Sequence, residues 1–84
     1  MIGSIVYSKC GHDKNKIFVV VADDGFYFYL ANGKQRLFSK PKKKKYKHVQ
    51  MTNYVCDDLK KIIEDKTCLD SDIRKAIKKY EESE

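Results

Sequence analysis

From residue 40 to residue 47 the chain reads Lys-Pro-Lys-Lys-Lys-Lys-Tyr-Lys, six lysines in eight positions with the only proline of the sequence among them. Pro41 breaks any helix that would spread these charges, and the ammonium groups repel one another in water. The run stands between a strand-rich half and a helical half, which predicts a fixed element of the domain rather than a loose tail. Solvated surface, a targeting signal and a membrane patch are the alternative readings of such a block.

Eighty-four residues make one small domain with room for one modest core. The apolar content of 42% belongs to a folding sequence, and the 36% of charged residues leaves little margin. The net charge of +6 is unevenly spread: residues 1–56 hold eleven Lys/Arg against three Asp/Glu, and residues 57–84 hold seven against nine. That asymmetry bears on partners and solubility, not on fold. The N-terminus carries no basic and hydrophobic leader pattern, and the longest apolar run, 17–22, is too short to cross a bilayer. Three irregularly spaced cysteines argue against a disulfide framework, so a reducing cytoplasm is the expected compartment. Cys10-Gly11-His12 with Cys56 or Cys68 has the residue types of a zinc site. No CxxC pair accompanies them, and reduced, partly buried thiols are the preferred reading.

The first half alternates short strands and turns. Ile5-Val6-Tyr7 reads as a strand opened by Gly3, and Cys10 to Asn15 is a loop dense in turn formers. Ile17 to Ala22 is β-branched and aromatic, the pattern of a strand buried on much of both faces. Asp24-Gly25 and Asn32-Gly33 are hairpin turns. Between them, period two sets Phe26, Phe28 and Leu30 on one face and Tyr27 and Tyr29 on the other, and Gln35 to Ser39 reads as a short return strand. His48 to Thr52 supplies a last strand. Short strands with tight turns predict a small closed barrel or strongly curled sheet, since a flat sheet of this size leaves costly edges.

From Asp57 the period changes. Leu59, Ile62 and Ile63 share a helical face, and Ile73, Ala76, Ile77 and Tyr80 recur at helical spacing behind an N-cap at Asp70 or Ser71, with Asp72 in the first turn. The fold class expected is mainly β with C-terminal helices. Residues 1–56 form the barrel, with the basic segment 40–48, and residues 57–84 are a helical extension packed on it.

No catalytic set is present: there is no Gly-rich phosphate loop and no nucleophile elbow, and Asp23-Asp24 before a glycine is ordinary β-turn chemistry. The binding constellation is more coherent. Lys9, His12, Lys14 and Lys16 surround Gly11 in the first loop, and Lys34 and Arg36 flank the Asn32-Gly33 turn. Lys40, Lys42, Lys43, Lys44, Lys45, Lys47 and His48 make up the basic run, with Tyr46 as the ring placed to stack on an unpaired base. For Tyr7, Tyr27 and Tyr29, cross-strand packing is the plainer role. A polyanion relieves the repulsion among the lysines and releases its condensed counterions on binding.

The stretch from Gly3 to Lys14, with an opening glycine, alternating apolar residues and a second glycine eight positions on before a basic loop, resembles a KOW motif. The match extends over Gly11-x-Asp13-Lys14, Phe18-Val19-Val20-Val21, Asn32-Gly33-Lys34, the Lys40-to-Lys44 block with Lys47-His48, and Ile73-Arg74-Lys75-Ala76-Ile77. Over nearly its whole length the chain is similar to short bacterial KOW-domain RNA-binding proteins, which themselves resemble large-subunit ribosomal proteins built on an SH3-like barrel. One departure is Asn15-Lys16 where many KOW motifs have a glycine; asparagine tolerates the left-handed conformation that such a loop needs. The resemblance implies an SH3-like barrel and binding of RNA, ribosomal RNA above all, with the ribosome as a possible setting. It implies no catalysis, no cofactor, no membrane and no small-molecule substrate. A protein-interaction module, the barrel binding a partner in transcription or translation, is the competing reading. An acidic tail folding over the basic surface is a third.

Overall fold

The computed structural model describes residues 1–83 and bears out a mainly β domain with C-terminal helices. Five strands, β1 (Ser4–Ser8), β2 (Ile17–Asp23), β3 (Tyr27–Ala31), β4 (Lys42–Lys45) and β5 (Val49–Val55), are followed by α1 (Asp57–Glu64) and α2 (Asp70–Ser83). All neighbours pair antiparallel in the order β4-β3-β2-β1-β5. The two edge strands, β4 and β5, are joined by a single 3-10 turn, Tyr46–His48. A linker this short holds the ends of the two edges side by side, so the sheet must curl. Register shifts between Val20 and Ala22 and between Ser4 and Val6 assist the bend. At the second, Thr52 Oγ1 donates to the Ile5 carbonyl and accepts from Tyr54 N–H, replacing ladder bonds that the irregularity removes.

Alternation along each strand sends side chains to two apolar clusters. Val6, Phe18, Val20, Phe28, Leu30 and Val49 fill the inside of the curl. Ile5, Val19, Val21 and Ala31 face the other way and are covered by Leu59 and Ile63 of α1 and Ile73, Ala76 and Tyr80 of α2. The continuous apolar run of β2 follows from this, because both faces of that central strand are buried. Tyr80 meets Tyr7 and Tyr54 edge-on at 6.2 and 5.3 Å between ring centroids, so Tyr7 is packing surface for the helix.

Three local expectations are corrected. The return strand after Asn32-Gly33 is not Gln35 to Ser39 but the lysine run itself; Asn32 Oδ1 accepts the N–H of Lys34 and of Arg36, which closes residues 32–36 into a turn and delays the strand. Phe26 does not share the inner face with Phe28 and Leu30. Asp24 Oδ1 accepts from Phe26 N–H and Tyr27 N–H, so the strand starts only at Tyr27, and Phe26 stands at the hairpin tip 77% exposed. At the start of α2 neither Asp70 nor Ser71 caps the helix. Asp72 Oδ2 accepts from Leu69 N–H, while Asp70 Oδ1 accepts from Phe38 N–H and ties the 33–39 segment to the helix.

Gly33 lies where that segment meets α2. Its φ of +75° is left-handed, and a Cβ there would lie 2.5 Å from the Asp70 carbonyl oxygen. Gly25 has φ +90° but open space around it. Gly33→Ala is therefore expected to cost more than about 2 kcal/mol, against about 1 kcal/mol for Gly25→Ala, where only backbone strain applies. Urea unfolding of the two variants checks the order.

Candidate nucleic-acid interface

The pairing of β4 with β3 decides where each lysine of the run goes. Lys42 is opposite Leu30 and Lys44 opposite Phe28, the inward pair, while Lys43 is opposite Tyr29 and Lys45 opposite Tyr27. The run is thus split by the pleat into two sets with different fates.

The inward lysines are tethers. Lys42 forms an ion pair with Asp13, and Lys44, only 8% exposed, donates through Nζ to the Cys10 carbonyl at 3.0 Å. Both acceptors lie in the loop 9–16, which is locally organised by the 3-10 turn Gly11–Asp13 and by Asn15 at φ 71°. The asparagine thus takes the left-handed conformation expected of it. The backbone of Lys9 donates to the His48 carbonyl at 2.9 Å, fixing the other side of the loop to the Tyr46–His48 turn. The fold therefore brings together Lys9, Gly11, His12 and Lys14 with Lys42, Lys44, Lys47 and His48, residues 28 to 39 positions apart along the chain. Lys9, His12, Lys14 and Lys47 are exposed there. Arg36, half-buried, lies close enough to act on the charge of Asp13.

The outward lysines, Lys43 and Lys45, lie on the other side of the strand. Lys43 Nζ sits 4.3 Å over the ring of Tyr27, a cation–π contact. Lys40 is exposed just ahead of β4. Tyr46, expected to be a stacking platform, is held at both ends: its ring packs on Phe28 at 4.3 Å and its hydroxyl donates to Asp23. That bond pushes its phenol pKa up to about 12. Lys16 and Lys34 stand apart from the junction, across a cleft against α2 that also includes Arg74 and Lys78, two cations absent from the sequence-based set. Their spacing on the polar side of a helix was legible in the sequence; their nearness to Lys34 was not.

The carboxylates of this half are consumed internally. Asp13 is held below the usual carboxylate range by the hydrogen bond from Lys42, opposed by burial and aided by the charges of Lys42, Lys44 and Arg36. Asp23 is lowered by the Tyr46 hydroxyl and the Gly25 N–H, and Asp24 by the N–H groups of Phe26 and Tyr27 and the Tyr29 hydroxyl. These are the only three acids among residues 1–56. Among the described residues, Lys42–Asp13 is the one ion pair; exposed Lys43 acts on Asp24 only at longer range. Comparison with protein-family models and with curated proteins gives no match to this chain.

Because Asp13 is depressed in the fold, its contribution to stability is complete above the ordinary carboxylate pKa of about 3.9 and is lost as pH falls through its lower folded value. Asp13→Asn is expected to cost roughly 1–3 kcal/mol at pH 7 and to flatten the acid limb of the stability profile, leaving the part due to Asp23 and Asp24. Denaturant titrations at neutral and acid pH read both effects. Lys44→Ala is expected to cost about 1–3 kcal/mol, while Lys45→Ala, next along the strand but exposed, stays within about 0.5 kcal/mol. Equal losses in the two melts would deny Lys44 its tethering role.

Proposed function

We propose that this protein is a non-catalytic RNA-binding protein, and that its interface is the junction of the loop 9–16 with the lysine strand and the Tyr46–His48 turn. The observation that carries the reading is the charge imbalance of that surface. Exposed Lys9, Lys14 and Lys47 converge there with His12, while buried Asp13 is paired with Lys42 and exposed Asp23 and Asp24 accept hydrogen bonds at the β2–β3 hairpin. A cationic surface whose exposed lysines form no ion pair with the described carboxylates gains from a phosphate backbone. The exposed Gly11, at φ +80°, lets the loop backbone come close to such a ligand. The resemblance to KOW-domain proteins favours RNA, and ribosomal RNA in particular, as the polyanion. Lysine offers a point charge, so recognition is directed by shape and charge more than by base identity.

One observation favours a protein partner instead: Phe26, an exposed ring at the tip of the β2–β3 hairpin. In that reading Phe26→Ala abolishes binding to the partner and leaves RNA untouched.

Fluorescence anisotropy with ribosomal RNA fragments and duplex DNA, over a series of salt concentrations, tests the RNA reading. If ~4 phosphates are neutralised, the log–log slope is near −3 to −4. Replacing Lys9, Lys14 and Lys47 together by alanine is expected to weaken binding and to make the slope shallower by about 2–3, with folding intact. Replacing the outward Lys43 and Lys45 is expected to do less. A flat salt response, or full affinity in the triple variant, would sink the proposal.

A further inference from the structure

A second basic feature lies beside the junction. The cleft between the 15–17 segment, the 32–35 turn and α2 encloses about 720 Å³, within the roughly 300–1,000 Å³ range of small-ligand sites. Lys16, Lys34, Arg74 and Lys78 supply four cations around it and Glu81 one acid, while half-buried Ile17 and Ile77 give it an apolar part.

Its walls are fixed before any ligand arrives. Arg74 Nη1 donates to the Gly33 carbonyl at 2.6 Å, Asp70 accepts from Phe38 N–H at 2.7 Å, and the missing side chain of Gly33 lets the turn lie directly on the first turn of α2. Asn32 Nδ2 donates to Gln35 Oε1, and Asn32 Oδ1 holds the backbone of Lys34 and Arg36. The turn and the helix are thus tied at several independent points. Only one of the five guanidinium N–H groups of Arg74 is used in its bond to Gly33, which holds one end of the group against the turn.

From this geometry we infer that the cleft receives a single unpaired nucleotide extruded from the bound RNA; the inference rests on the RNA reading above and extends it. An anion alone needs only the cations. The apolar lining given by Ile17 and Ile77 and a tethered guanidinium with N–H groups to spare suit a flat base, which stacks on arginine as on an aromatic ring. Lys16, Lys34 and Lys78 then serve the flanking phosphates. Lys16 ends the same loop that carries Lys9 and Lys14, and its carbonyl accepts from Ser8 N–H at 3.1 Å, so one loop links the cleft to the junction.

The test compares a fully paired RNA hairpin with the same hairpin carrying one extra unpaired nucleotide. The wild type is expected to bind the second about tenfold more tightly. Lys78→Ala, at an exposed helix position, and Arg74→Lys, which keeps the charge and loses the plane, are expected to remove that preference and to leave binding of the paired hairpin in place. A free mononucleotide is expected to shift the methyl resonances of Ile17 and Ile77, and inorganic phosphate at equal concentration to shift them far less. Equal binding of the two hairpins by the wild type, a preference that survives in both variants, or equal shifts with phosphate overturns the cleft assignment and leaves the RNA reading standing. No binding of either hairpin overturns the RNA reading and this inference together.

Discussion

Lys42 and Lys44 reach from the edge strand to the first loop and are held there by the Asp13 carboxylate and the Cys10 carbonyl. The candidate interface depends on these two links. Without them the loop 9–16 would keep only its own backbone bonds and the Lys9–His48 link, and its 3-10 turn would lose its hold on β4. The links also use cations that would otherwise repel. Each inward ammonium is set against an oxygen, and repulsion along the run is left to the outward and flanking lysines, which water and a polyanion can screen.

The same strand alternation organises the rest of the domain. On β2 and β3 it sends Phe18, Val20, Phe28 and Leu30 into the curl and Val19, Val21 and Ala31 toward the helices. An 84-residue chain thereby builds two apolar layers from one sheet, the helices closing the outer one. The 3-10 turn Tyr46–His48 joins the two sheet edges and is anchored by Tyr46 against Phe28 and Asp23, so the ring placed among the lysines serves closure. Cys68, buried beneath the helices with Asp72 and Asp70 nearby, has its thiol pushed up to about 11, so it is packing material and not a reactive group.

Much of the architecture was legible because it rests on local patterns. The short apolar strand β1, the continuous β-branched run of β2, the Asp24-Gly25 turn and the two amphipathic helices follow from residue type and spacing. The errors at Phe26 and at the 35–39 segment have a common origin: aspartate and asparagine side chains, Asp24 and Asn32, capture backbone N–H groups and shift where the following strand begins. Of the candidate binding residues, the loop lysines Lys9 and Lys14 are exposed, on the loop joined to the Tyr46–His48 turn. Lys42 and Lys44 turn inward, Tyr46 is engaged at both ends, and Lys16 and Lys34 belong with Arg74 and Lys78 of α2.

By itself the sequence determined the strand-and-turn first half, the helical close, the separation of positive charge into residues 1–56 and the location of the lysine run outside any helix. Those features depend on near neighbours along the chain, on φ restriction at proline and glycine, and on hydrophobic period. The tertiary structure alone decided which lysines are tethers and which are free. That choice depends on the register of β4 against β3, a pairing that sets Lys44 opposite Phe28 and so aims it at a carbonyl thirty-four residues earlier in the chain. Identical side chains in an unbroken run carry no local mark of the face they will take, and only the partner strand supplies it.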